Sequence, residues 1–108
     1  MLTARADARA ARWSAECARV VSAARAACEA LVRDGVVDAA WLVGSAAWGG
    51  WGERSDVDVV VRALDPRDFV AAWDRLGDAA GVHVDLLRIE ELADGFRARV
   101  ERDGVRMA

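Results

Sequence analysis

The chain has 108 residues, of which 55% are hydrophobic and 31% are charged, and its formal net charge is −3. This composition argues against a disordered chain, and the length predicts a single domain over residues 1–108. The slight negative charge argues against a dedicated nucleic-acid binder, and no apolar stretch approaches the roughly 18 residues of a membrane span. We therefore expect a globular, cytoplasmic protein that binds neither membranes nor nucleic acid directly.

The first predicted element is an amphipathic helix over about residues 3–33. Its apolar side chains recur at intervals of three and four residues, as on one face of a helix. These positions are Trp13, Cys17, Val20, Val21, Ala24, Cys28, Leu31 and Val32. Cys17 and Cys28 lie too far apart along the helix axis to form a disulfide, so we interpret both as small buried hydrophobic residues. Asp34-Gly35 is predicted to end the helix.

The rest of the chain is predicted to form a core, over about residues 36–108, in which strands and helices alternate. The predicted elements are a strand over 36–43, a strand over 56–62, a helix from Asp65-Pro66 to Gly77 or Gly81, a strand over 82–89 and a helix over 90–103. The first of these two helices is predicted to bury Phe69, Val70, Trp73 and Leu76, and the second Leu92, Phe96 and Val100. The tail, 105–108, is a candidate edge strand. We expect an α/β (α+β) fold in which helices cover a small mixed sheet of three or four strands.

The most informative stretch is a glycine-rich loop followed by a strand that carries two aspartates. Residues 44–61 read GSAAWGGWGERSDVDVVV. Because side chains alternate along a strand, Asp56 and Asp58 share one face and Val57, Val59 and Val61 share the other. Paired carboxylates suit a hard divalent cation such as Mg²⁺, and the backbone N–H groups of the Gly44-Ser45 turn suit phosphate oxygens. This stretch therefore predicts a site for a metal-bound phosphate chain.

The run G-S-x-A-x-G, followed after a short loop by S-D-x-D-V-V-V, resembles the signature of the minimal nucleotidyltransferase (MNT) domains of the polymerase-β-like superfamily. The resemblance extends from about Val36 to the C-terminus. It implies the nucleotidyltransferase fold, with Gly44 and Ser45 holding the terminal phosphates of ATP and with Asp56 and Asp58 holding Mg²⁺.

The family has a third carboxylate on a later strand, and Asp85 in the run VHVDLL fits that position. If its strand neighbours the 56–62 strand, Asp85 completes the metal set or accepts the proton of the attacking hydroxyl. The alternative is a solvated strand aspartate with no role. His83 is the only histidine and shares the strand face of Asp85. We interpret it as an exposed strand residue rather than a catalytic one.

The loop departs from the family pattern. Ala46 and Trp48 stand where many members carry arginines, and Arg54 replaces a common acidic residue. Trp48 and Trp51 lie among glycines and are candidates for covering a nucleobase, anchoring a protein partner or packing in the core. The other tryptophans are predicted on apolar faces, in the core or at an interface; they are Trp13, Trp41 and Trp73.

The resemblance implies nucleotidyl transfer from ATP, most simply of AMP, with Mg²⁺ as cofactor. A single domain leaves no second domain for a small acceptor, so we expect the acceptor to lie on another chain. MNT domains of this size resemble the antitoxins of HEPN-type ribonuclease toxins, which adenylylate the toxin and form a complex with it. We therefore predict an adenylylating antitoxin. The alternatives are an antitoxin that acts by stoichiometric binding with a vestigial active site, and a small-molecule (antibiotic) nucleotidyltransferase.

Overall fold

The computed structural model describes residues 4–52 and 55–108, so Thr3, where the first helix was expected to begin, and Arg54 lie outside the described residues. The elements in chain order are α1 (Ala4–Arg33), β1 (Ala39–Val43), α2 (Ser45–Trp48), β2 (Val57–Arg62), α3 (Phe69–Ala80), β3 (Val84–Arg88), α4 (Asp94–Asp103) and β4 (Val105–Arg106). A single 3-10 turn precedes α3 at Pro66–Asp68, and another precedes α4 at Ile89–Glu91. None of the described helices is long and apolar enough to cross a membrane.

The four strands form one mixed sheet in the order β3-β2-β1-β4. β1 is antiparallel to both β2 and β4, whereas β2 and β3 run parallel and are connected through α3. The predicted mixed sheet is therefore confirmed, with the C-terminal tail as its fourth strand. Beyond β4 the Met107 N–H donates to the Ala40 carbonyl oxygen at 2.8 Å, which ties the chain end to β1.

Helices cover both faces of this sheet, which explains why all five residues of β1 are buried. On the face covered by α1 and α3, the core includes Val57, Val59 and Val61. On the face covered by α4, the core includes Trp41 and Val60. We call these the α1/α3 core and the α4 core. The alternation expected for the valines of β2 is confirmed.

Among the described side chains of α1, the first that is fully buried is Val20. Val20, Ala24, Cys28 and Leu31 are fully buried, which matches the predicted apolar face. Burial also raises the pKa of the Cys28 thiol to about 11. Cys17 lies about one helical turn before Val20 and is only partly buried, so its expected burial is wrong.

The first strand begins at Ala39 rather than at Val36, because Val36 and Val37 take part in the turn that ends α1. The Val36 N–H donates to the Leu31 carbonyl oxygen at 2.9 Å, as part of the turn that ends α1. Val36 is therefore part of the helix C-terminus rather than the sheet. Pairing with β2 begins at Asp38, whose N–H donates to the Arg62 carbonyl oxygen at 3.0 Å.

The helix α3 begins as expected, with the Asp65 side chain accepting a hydrogen bond from the Arg67 N–H at 2.9 Å. It ends at Gly81, which has φ 70 and provides the left-handed conformation of a helix C-cap. The expected burial of Val70 and Trp73 is wrong, because these side chains are 62% and 40% exposed. The buried residues of α3 are instead spaced by four, and they pack in the α1/α3 core: Ala72, Leu76 and Ala80.

Candidate active site

The parallel pairing of β2 with β3 brings the predicted carboxylates together at one end of the sheet. Asp58 and Asp85 are register partners on these two strands. Asp56 immediately precedes β2 on the same face as Asp58. Asp56, His83 and Asp85 each offer one ligand atom, and these three atoms lie within 4.8 Å of one another. The condition set from the sequence, that the strand of Asp85 neighbours the strand of Asp58, is met.

Asp58 also contacts the start of the glycine-rich loop. Gly44 follows β1 and has φ 73 and ψ −155, a conformation that side-chain-bearing residues avoid. A Cβ atom at Gly44 would overlap the Oδ2 atom of Asp58. Glycine at this position therefore permits both the turn itself and the close approach of the Asp58 carboxylate to it.

The electrostatics of the cluster favour a bound cation. Burial raises the pKa of Asp58 above its usual value, and the neighbouring Asp85 raises it further through a hydrogen bond and its charge. Asp56 acts in the same direction, whereas His83 lowers this pKa. Carboxylate oxygens converging at the end of two strands are the ligands that Mg²⁺ and Mn²⁺ accept. The donor set therefore fits a divalent cation, which would offset the mutual repulsion of the carboxylates.

The Gly44-Ser45 turn leads into the one-turn helix α2. The Gly44 carbonyl oxygen accepts hydrogen bonds from the Ala47 N–H at 3.1 Å and the Trp48 N–H at 2.8 Å. The first N–H groups of a helix have no partner within it and are available to an anion. Ser45 is partly buried, and on its other side it borders a largely apolar cleft of about 570 Å³ between α1 and the loop.

The two loop tryptophans pack on opposite faces of the sheet. The Trp48 indole N–H donates to the Asp103 carbonyl oxygen at 2.9 Å, and the Arg99 guanidinium carbon lies 4.1 Å from the Trp48 ring centroid. Trp48 thus fastens α2 to α4, and of the three interpretations the packing one fits it. Trp51 packs against the α1/α3 core, and its indole nitrogen is buried with no hydrogen-bond partner among residues 4–52 and 55–108.

His83 is closer to the carboxylates than sequence reasoning suggested. Its Nε2 atom lies 3.0 Å from Oδ1 of Asp85. The Trp73 ring packs edge-on against the imidazole, with the centroids 6.5 Å apart. The Trp73 indole N–H donates to the Val84 carbonyl oxygen at 2.7 Å. The sequence feature that indicates this proximity is the two-residue spacing of His83 and Asp85. It places both side chains on the face where Asp56 and Asp58 also lie.

Comparison with known proteins agrees with this arrangement. The chain is similar to a solved toxin-antitoxin structure with AMP-PNP, at 24% identity and a TM-score of 0.64 over 78% of this chain and 72% of that one. It is similar to a protein assigned as a minimal nucleotidyltransferase, at 28% identity and a TM-score of 0.64 over 76% of this chain and 86% of that one. A search of curated proteins gave no match. The nucleotidyltransferase domain family matches residues 22–107, so the chain belongs to this family and is a nucleotidyltransferase.

Proposed function

We propose that the protein transfers AMP from ATP to a hydroxyl group of a HEPN-type ribonuclease toxin, and thereby acts as its antitoxin. The observation that carries the chemical part of the proposal is the parallel register that sets Asp58 opposite Asp85. Asp56 adds a third carboxylate to the same end of the sheet. Family membership supplies the reaction class, nucleotidyl transfer.

Mg²⁺ is the cofactor in this proposal, held by Asp56, Asp58 and Asp85. When bound, the cation supplies positive charge next to the phosphates and offsets the negative charge that develops during transfer. The raised pKa of Asp58 supports this role, because a carboxylate crowded by two others gains most from a neighbouring cation.

Gly44 and Ser45 bind the β- and γ-phosphates of ATP. The unpaired N–H groups at the start of α2 and the Ser45 hydroxyl are the donors. Because the Asp58 carboxylate lies against Gly44, the phosphate turn and the acidic cluster adjoin each other. A triphosphate bound on the turn therefore presents its α-phosphorus to the carboxylates.

In the transfer step, the oxygen of the acceptor hydroxyl attacks the α-phosphorus of ATP. The bond between the α-phosphorus and the oxygen bridging to the β-phosphorus breaks, and pyrophosphate leaves. The hydroxyl proton passes to the Asp85 carboxylate, directly or through one water molecule. The remaining contribution of the protein is to hold donor and acceptor in line.

A macromolecular acceptor is supported by the openness of the site. The His83 and Asp85 side chains are 54% and 50% exposed, so a hydroxyl on another protein can reach them. The fold likeness to a toxin-antitoxin structure and the resemblance to HEPN-associated antitoxins support the same kind of partner.

The test is the intact mass of a HEPN-type toxin encoded beside this protein, after incubation with the protein, ATP and Mg²⁺. We expect a mass gain of one or more adenylyl units. The double variant Asp56→Asn/Asp58→Asn should bind the toxin and leave its mass unchanged. Asp78→Asn is the matched control, because Asp78 is an exposed carboxylate on α3 that is not part of the acidic cluster. It should behave like the wild type.

A stable complex with no mass change in the wild type would overturn the transfer and favour neutralisation by binding alone. Transfer to a small molecule without any effect on the toxin would favour a small-molecule nucleotidyltransferase. Protection of cells that persists in the double variant would likewise overturn the enzymatic mechanism.

A further inference from the structure

We propose that His83 is a metal ligand in this protein, and that its Nε2 atom joins Asp56 and Asp85 in a mixed oxygen and nitrogen site that favours Mn²⁺ over Mg²⁺. The inference rests on the proposed metal-dependent function and extends it to the identity of the ion. It assigns a role to a residue outside the carboxylate set predicted from the sequence.

The geometry of the three groups fits a single ion. Two ligands at right angles on an ion with bonds of about 2.1 Å are about 3.0 Å apart. The Nε2 atom of His83 and the Oδ1 atom of Asp85 are separated by 3.0 Å. Asp56 also offers a ligand atom that lies within 4.8 Å of a ligand atom of each of these two residues. An ion can therefore be bound between the three groups with small movements of exposed side chains.

The chemistry of the donors sets the preference among ions. Mg²⁺ is a hard ion that takes oxygen ligands almost exclusively, and it gives up its bound water molecules reluctantly. Imidazole nitrogen is a softer donor that binds first-row transition ions well, and carboxylates also accept Mn²⁺. Adding His83 to the proposed aspartate ligands therefore strengthens Mn²⁺ binding more than Mg²⁺ binding.

Neighbouring groups hold the His83 ring in place for this role. Trp73 packs edge-on against the imidazole at an interplanar angle of 84°. Its own position is fixed by the hydrogen bond from its indole N–H to the Val84 carbonyl oxygen. Such outer contacts orient a ligating histidine and reduce the ordering cost of binding an ion. Trp73 is thus a positioning residue for His83, which gives this partly exposed tryptophan a role.

The test uses the fact that His83 is the only histidine in the chain. Tag-free protein labelled with ¹⁵N-histidine therefore reports on this one imidazole. Electron spin echo envelope modulation of bound Mn²⁺ detects a directly bonded nitrogen and distinguishes ¹⁵N from ¹⁴N. Titrations with Mn²⁺ alone and with Mg²⁺ alone give the two dissociation constants for the wild type, His83→Gln and the control Asp78→Asn.

We expect a nitrogen coupling in the wild type that changes on ¹⁵N labelling and disappears in His83→Gln. The Mn²⁺ dissociation constant should rise about tenfold or more in that variant, with the Mg²⁺ constant changed by less than about threefold. Asp78→Asn should match the wild type. Circular dichroism of the variants checks that they are folded.

Bound Mn²⁺ without a label-sensitive coupling would overturn the inference and reduce His83 to an ion-pair partner of Asp85. Unchanged Mn²⁺ affinity in His83→Gln, or no Mn²⁺ binding by the wild type at millimolar concentration, would also overturn it. If the protein still transfers adenylyl groups with Mg²⁺ when one of these outcomes is observed, the proposed function is retained and only the role of His83 is rejected. A nitrogen coupling in a protein that transfers no AMP would reject the function and keep the metal ligand.

Discussion

Asp58 on β2 lies opposite Asp85 on the parallel strand β3, and the carboxylate of the same Asp58 lies against Gly44. This side chain therefore connects the acidic cluster to the turn proposed to hold phosphates. The arrangement is unfavourable for the protein alone, since burial and two neighbouring carboxylates oppose the charged form of Asp58. In the proposed function, a bound cation with its nucleotide would offset this cost.

Replacing Asp58 by asparagine should stabilise the metal-free protein while removing its response to metal. Asparagine keeps the shape of the side chain and removes its charge. We expect the free energy of unfolding to rise by about 0.5–1 kcal/mol, a small value because solvent screens partly exposed charges. The melting temperature should rise by about 2–6 °C. With millimolar Mg²⁺ and a non-hydrolysable ATP analogue, the wild type should gain stability and the variant should not.

The stabilisation by Asp58→Asn should depend on pH. The folded-state pKa of Asp58 is raised above its ordinary value of 3.8, so the folded wild type holds this proton more tightly than the unfolded chain does. The resulting stability is present below the ordinary pKa and is lost as the pH rises through the raised one. The difference between variant and wild type should therefore be largest at neutral pH and shrink towards pH 4. Urea unfolding across this range measures it, and a difference that grows on acidification would contradict the assignment.

Most of the fold could be predicted from the sequence, because its elements are bounded by local signals. The helix end at Gly81 and the Asp65 cap depend on backbone conformation and one side chain; the cap was predicted, and Gly81 was one of the two predicted helix ends. The errors arose where contacts between elements decide which side chains are buried. Val70 and Trp73 are apolar but exposed, because α3 turns its alanines towards α1 instead. No local pattern shows which side of a short helix another helix will cover.

The grouping of the carboxylates in the candidate site could be predicted from the sequence, but the contacts around them could not. Alternation along two strands is enough to bring Asp58 and Asp85 to one face, provided that the strands are neighbours. The contacts of Trp48 with α4 were not predictable, because residues 48 and 103 are far apart in sequence and meet only after folding. The same holds for the Trp73 ring beside His83, which requires α3 to pack near the start of β3.

The close approach of Asp58 to Gly44 predicts a large effect of Gly44→Ala. Alanine at this position would have to adopt a backbone conformation that favours glycine. Its methyl group would also overlap the Asp58 carboxylate. We expect a loss of about 2–4 kcal/mol in the free energy of unfolding and a loss of metal-dependent nucleotide binding. Chemical denaturation and calorimetric titration with the ATP analogue measure the two effects.

Gly35→Ala is the matched control for this prediction. Gly35 has φ +75, close to the +73 of Gly44, but a Cβ atom there meets nothing within 4 Å. The control should lose about 1–2 kcal/mol from backbone strain alone and should bind nucleotide normally. Equal nucleotide affinity in both variants would contradict the proposed contact between the turn and Asp58.

Trp48 should determine how firmly the phosphate turn is held. Trp48→Phe removes the hydrogen bond to the Asp103 carbonyl oxygen and retains an aromatic face for Arg99. It should cost about 1 kcal/mol. Trp48→Ala also removes the packing against the α4 core and should cost about 2–4 kcal/mol. Because Trp48 ends the helix that Ser45 begins, nucleotide affinity should fall more in Trp48→Ala than in Trp48→Phe.

A double-mutant cycle with Arg99→Ala separates the stacking from the packing. The cation over the Trp48 ring predicts a coupling of about 0.5–1 kcal/mol between the two positions. Additive losses of stability would show that Arg99 contributes nothing through the ring. Nucleotide affinity that is unchanged in Trp48→Ala would show that the turn keeps its shape without the contact to α4, and the proposed role of Trp48 would then be wrong.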